Sequence, residues 1–129
     1  MRKILEKLKK EKLDALLISS AANVSYLTGY LSRDSWLLVS PKKKVFITDS
    51  RYTEEAKKRL RGFTVAEVNG PAARLIGDLC RSLKVNCLGF EERALSYAEY
   101  KRLRKALPGD TGFCPAGGIV EELRQVHDA

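Results

Sequence analysis

Apolar positions along the chain repeat with two periods, and the switches between them mark out the elements. Ile4, Leu5 and Leu8 share one face of a helix predicted over residues 2–12. The unbroken run Ala15-Leu16-Leu17-Ile18 has the length and flanks of a buried strand. Ser20 suits the cap of a helix bearing Val24, Leu27 and Leu31, with Gly29 near its end. Two further apolar runs, residues 36–39 and 45–48, are joined by Ser40-Pro41-Lys42-Lys43-Lys44 and read as a hairpin. Asp49 or Ser50 then opens a helix with Tyr52, Ala56 and Leu60 on one face, and residues 63–68 form the next strand.

In the second half, Asn69-Gly70-Pro71 stops one element and places proline at a favoured first helical position. The following helix carries the cleanest stripe: Ala72, Leu75, Ile76, Leu79, Cys80 and Leu83. Residues 87–91 make a short strand. Ser96 and Glu99 have capping-box spacing and start a helix bearing Tyr97, Tyr100, Leu103 and Leu107. Pro108-Gly109 ends it, residues 111–114 give a last short strand, and Gly117-Gly118 precedes a helix with Ile119, Val120, Leu123 and Val126. Strands alternating with amphipathic helices predict an α/β fold, a three-layer α/β/α domain on a mixed sheet, with the hairpin making one strand antiparallel.

Composition narrows the picture. With 129 residues, 44% hydrophobic and 31% charged, one packed domain is expected rather than a disordered chain. No apolar run is long enough to span a bilayer, and charge breaks up the N-terminus too often for a signal-peptide core, so no membrane partner is expected. Three cysteines without CxxC spacing argue against a disulfide framework and for a reducing, cytoplasmic setting. The net charge of +8 is concentrated near the N-terminus and in clusters at residues 42–44, 57–61 and 101–105. These clusters fall on the predicted solvent faces of helices and in the hairpin turn. A stand-alone basic interaction or nucleic-acid-binding module is the alternative, and steep weakening by salt would mark it.

The residues offer little catalytic chemistry. His127 is the one histidine and reads as a solvated side chain, not a metal ligand or half of a catalytic pair. Cys80 lies within an apolar stripe, and no phosphate-binding glycine loop is present. Asp14, Asp49 and Glu67 are not spaced as the clustered carboxylates of a two-metal nuclease. The chain by itself reads as non-catalytic, with no metal site and no catalytic residue.

Three strings do carry information in combination. They are Leu13-Asp14-Ala15-Leu16-Leu17-Ile18, Asn23-Val24-Ser25-Tyr26-Leu27-Thr28-Gly29-Tyr30 and Phe46-Ile47-Thr48-Asp49-Ser50-Arg51-Tyr52. In this order they resemble the N-terminal domain of the creatinase/prolidase/aminopeptidase P family, the Xaa-Pro metallopeptidases. Its motif positions here are Asn23, Tyr26, Gly29, Asp49, Arg51 and Tyr52. Ile119-Val120-Glu121-Glu122-Leu123-Arg124 resembles the helix that connects to the family's catalytic domain. The resemblance implies a ribonuclease H-like topology, with residues 1–116 as the N-terminal domain and 117–129 as the start of the connecting helix. It implies an excised domain or a truncated homologue, whose catalytic domain holds a divalent metal pair (Mn, Co or Zn) and cleaves the bond before proline. It also implies a homodimer acting on proline-containing peptides. The loop bearing Arg33, Asp34 and Trp36 would then reach the other subunit's active site, with Asp34 toward the substrate ammonium and Arg33 toward its carboxylate. Whether the intact enzyme is a dipeptidase or an aminopeptidase is left open.

Overall fold

The computed structural model describes residues 1–128, with side chains described through Gln125. The element order is α1 (Arg2–Lys10), β1 (Ala15–Ile18), α2 (Ala21–Thr28), β2 (Trp36–Val39), β3 (Lys44–Thr48), α3 (Thr53–Arg59), β4 (Thr64–Glu67), α4 (Ala72–Ser82), β5 (Cys87–Phe90), α5 (Tyr97–Ala106), β6 (Gly112–Pro115) and α6 (Ile119–Asp128). The six strands form one mixed sheet in the order β4-β3-β2-β1-β5-β6. Strand β2 is antiparallel to β1 and β3, while β1–β5, β3–β4 and β5–β6 pair in parallel. The α/β architecture and the reversed hairpin strand are as the patterning predicts.

Period-two alternation sorts each strand between two cores. Leu16, Ile18, Leu37, Val39 and Phe46 point into one, covered by Ile4 and Leu8 of α1, Val24 of α2, Ala56 of α3 and Ile119 and Val120 of α6. Ala15, Leu17, Leu38, Val45 and Ile47 point into the other, covered by Ile76 and Cys80 of α4 and Leu103 of α5. All of these are buried, and burying a large aliphatic side chain contributes about 1.5–3 kcal/mol. Helices on both faces therefore follow from strands that are apolar on both sides.

Local chemistry sets the ends of these elements. The Ser20 hydroxyl accepts the Asn23 N–H at 3.3 Å to start α2, and Gly29, at φ +71°, ends it in the left-handed region. The capping box forms as read: the Ser96 hydroxyl accepts the Glu99 N–H at 3.1 Å and the Glu99 carboxylate accepts the Ser96 N–H at 2.9 Å. Asp14 accepts the main-chain N–H groups of Asn86 and Cys87, at 2.9 and 2.8 Å, locking β1 beside β5. This is a structural use of the carboxylate.

Several readings need correction. The helix after β3 begins at Thr53 rather than at Asp49 or Ser50, because Asp49 turns back onto the Arg51 N–H and its carbonyl accepts the Thr53 hydroxyl. Helix α1 stops at Lys10, where the chain turns and Lys12 takes φ +59°. Pro71 caps α4 in an extended conformation and is not its first helical residue. Leu31 lies past the end of α2 and is 83% exposed, and Tyr97 stands 74% exposed at the start of α5. The readings of Val126 and His127 fall outside the described side chains.

Candidate functional site

Five strands run the same way and β2 runs against them, so the carboxyl ends of β1, β3, β4, β5 and β6 share one end of the sheet with the start of β2. Crevices beyond the carboxyl ends of strands are where open α/β sheets carry their functional loops. The Trp36–Ile47 pair brings the loop before β2 alongside the turn after β3.

An arginine bridges these two segments. The Arg51 guanidinium donates from Nε to both Asp49 oxygens at 3.0 and 3.1 Å and from Nη2 to Oδ2 at 2.6 Å. Its Nη2 lies 3.5 Å from Asp34 Oδ2, and its plane sits over the Tyr52 ring at 5.2 Å. These bonds from Arg51 hold the Asp49 carboxyl below its ordinary range, against a smaller opposing effect of burial. Asp49 in turn raises the Arg51 guanidinium further. Asp34 takes φ +56°, a region that Asp tolerates better than most residues, and its side chain is 82% exposed. The result is an exposed carboxylate on a turn tethered to the end of β3.

The base of the loop is anchored as well. Tyr30 is buried, meets Phe46 edge-on at 5.8 Å between ring centroids, and donates its hydroxyl to Glu55 at 2.8 Å. Burial first, and then the Glu55 carboxylate, push its phenol up to about 12. The Ser32 hydroxyl donates to that of Ser35 at 2.8 Å and closes the loop on itself. A cavity of about 420 Å³ opens beside the loop, lined in part by Ala22, Leu31, Arg33 and Tyr52. Trp36 does not join this group. Its ring packs with the core on the α4/α5 side and lines a separate cavity of about 370 Å³ with Pro71 and Arg102.

Of the motif positions, Asp49, Arg51 and Tyr52 build this bridge, while Gly29 supplies the left-handed helix end. Asn23 is fully buried and does structural work. Its amide nitrogen donates to Glu91 at 2.6 Å and to Glu121 at 3.0 Å, and its oxygen accepts Arg124 Nη1 at 2.9 Å. Glu91 also accepts the main-chain N–H groups of Ser19 and Ser20 at 2.8 and 2.9 Å. This knot joins β1, α2, β5 and α6. Burial pushes the Glu121 carboxyl up, but Asn23, the N–H groups at the start of α6 and Arg124 outweigh it and hold it low. Sequence reasoning missed Glu91 because an acid closing a short strand carries no periodic signal; its adjacency to a wholly apolar strand was the available clue. Tyr26 is exposed on α2. Among the described residues, no three His, Cys, Asp or Glu side chains converge as metal ligands, so this part of the chain does not fit a metal pair.

A family model described as the Creatinase/Prolidase N-terminal domain matches residues 1–126. The chain belongs to that family. It is 35% identical over 117 residues to the uncharacterized peptidase YqhT of Bacillus subtilis (strain 168), covering 91% of this chain and 33% of that protein. The chain thus spans about a third of the length of this curated relative. Its fold superposes on a Xaa-Pro dipeptidase from Bacillus anthracis with a TM-score of 0.89 at 28% identity, over 95% of this chain and 34% of that one. It matches a Xaa-Pro aminopeptidase structure from Streptococcus pyogenes with a TM-score of 0.88 at 32% identity, over 95% and 93% of the two chains. The N-terminal domain of the cytoplasmic peptidase PepQ from Mycobacterium tuberculosis H37Rv gives 0.86 at 31%, over 95% of both chains. In this creatinase/prolidase-type domain the Asn23 knot builds the fold, and the Arg51 bridge sets the position of an exposed loop.

Proposed function

We propose that this chain is the non-catalytic N-terminal domain of a cytoplasmic Xaa-Pro dipeptidase or aminopeptidase, contributing to dimerisation and to substrate access at the partner subunit's active site. Family membership and relatives described as Xaa-Pro peptidases support the reading, and one relative is described as cytoplasmic. In this reading residues 1–116 are the domain proper and 117–129 begin the helix leading to the catalytic domain. The start of helix α6 is fixed on the domain, because its Ile119 and Val120 are buried and its Glu122 pairs with Lys7 at 3.0 Å. A Mn²⁺, Co²⁺ or Zn²⁺ pair held by the catalytic domain would supply the Lewis-acid chemistry of hydrolysis; among the described residues of this chain no cluster of ligands for it is present.

The observation that carries the proposal is the Asp34–Arg51–Asp49 bridge, which presents a carboxylate to solvent on a tethered loop. A fixed, exposed carboxylate suits the ammonium end of a short peptide, and holding that end adds positioning as well as affinity. Arg33, on the same loop, lines the neighbouring cavity and would meet a peptide carboxylate, while Trp36 supports the loop from the core side. The test is Asp34→Asn in the full-length parent enzyme. Loss of kcat/KM on Xaa-Pro dipeptides or tripeptides, with metal content and dimerisation unchanged, is the expected result. Unaltered kcat/KM on both substrates would remove Asp34 from substrate capture.

A further inference from the structure

The parallel pairing of β5 with β6 brings two of the three cysteines together. Cys87 Sγ and Cys114 Sγ are 3.4 Å apart, and both thiols are free and half-buried. The strand register explains the contact. Cys87 pairs with Gly112 and Cys114 with Gly89, so each cysteine faces a residue without a side chain. The sulfurs meet over Gly112, where a Cβ would stand 3.6 Å from one and 3.8 Å from the other. Both thiols line a cavity of about 340 Å³ beside Glu11 and Gly117, which gives a small polar reagent a way in. Cys80 is fully buried in the opposite core and cannot reach them.

We propose that Cys87 and Cys114 are a reversible dithiol–disulfide pair, oxidised by a hydroperoxide, that crosslinks β5 to the edge strand β6. Burial, the contact with Cys114 and the charge of Asp14 push the Cys87 thiol up to about 11. Cys87 therefore keeps its proton, which leaves Cys114 as the nucleophile of the pair. The Cys114 thiolate attacks one peroxide oxygen: an S–O bond forms, the O–O bond breaks, and the leaving oxygen departs as water after taking up a proton. Cys87 sulfur then attacks Cys114 sulfur: the S–S bond forms, the S–O bond breaks, and hydroxide leaves with the Cys87 proton as water. Two thiols and one hydrogen peroxide become one disulfide and two waters.

The two cysteines are staggered by two residues along neighbouring strands, about 6–7 Å along the strand direction. Closing the bond therefore draws the strands out of their present register. Strand β6 is the one to move, because it pairs on one side only. A crosslink formed this way is labile to thiols and suits a reversible mark better than a permanent staple. Strand β6 leads through Ala116, Gly117 and Gly118 into α6, so the shift is delivered to that helix.

The test treats the reduced chain with a small excess of hydrogen peroxide. Intact mass should fall by two hydrogens, free thiols should drop from three to one, and a tryptic digest should join the Cys87 and Cys114 peptides. Dithiothreitol should restore all three thiols. Cys80→Ala should keep the mass loss, whereas Cys87→Ser should leave a Cys114 sulfenic acid that dimedone traps. Oxygen added to Cys114 without loss of hydrogens in the wild-type chain would overturn the proposal. So would crosslinks formed only between chains, or an unmodified pair.

Discussion

Replacing Glu91 by glutamine tests the buried knot at the carboxyl end of β5. The side chain is 4% exposed and accepts three donors, the main-chain N–H groups of Ser19 and Ser20 and the amide of Asn23. Glutamine has the same shape but one acceptor end, so whichever way its amide turns, a donor faces a donor. Asn23 cannot resolve this by flipping, because its oxygen already accepts Arg124 and its nitrogen also serves Glu121. Losing one hydrogen bond to a charged group and making the remaining ones neutral costs about 4 kcal/mol. Relief from burying a carboxylate offsets about 1–2 of that. The expected net loss is about 2–3 kcal/mol, or a fall of about 10 °C in Tm for a chain of this size. Urea unfolding should show a lower midpoint with an unchanged slope. The control is Glu6→Gln, whose exposed contact with Arg2 at 3.8 Å should be worth less than about 0.5 kcal/mol. If Glu91→Gln behaves like that control, the knot does not hold the fold as argued.

Three other outcomes are expected from the same packing. Glu121 has its folded pKa below its ordinary 4.5, so its stabilisation is present above that pH and is lost as pH falls through the folded value. Acid titration of unfolding should thus be shallower in Glu121→Gln than in the wild-type chain. Gly77→Ala should cost about 1–3 kcal/mol by chemical denaturation, because a Cβ there runs into the main-chain carbonyl of Ala106 and forces α4 from α5. Cys80 is fully buried whereas Cys87 and Cys114 are half-buried, so iodoacetamide should label Cys80 at the rate of unfolding, after the other two.

Much of this domain is legible along the chain because its signals are local. Four-residue apolar runs such as Ala15–Ile18 declare strands buried on both faces, and Ser20, Gly29 and the Ser96–Glu99 pair declare helix ends through their own backbone chemistry. The hairpin at Ser40 through Lys43 needs only neighbouring atoms to close. Where a local signal competed with a nearby side chain, the reading slipped, as at Asp49, whose carboxylate makes a turn where a helix start was expected. The family strings do not reveal the roles of their residues: Asn23 is a buried linchpin, and Arg51 the bridge between two loops. Residues distant in sequence meet only once the strands are ordered. The Asn23–Glu91–Glu121–Arg124 knot, the approach of Asp34 to Arg51 and the Cys87–Cys114 contact each depend on which strand lies beside which and in what register. Periodicity determines that a strand exists and which faces it buries. Its neighbours are selected by the packing of the whole sheet, and that selection created every site described above.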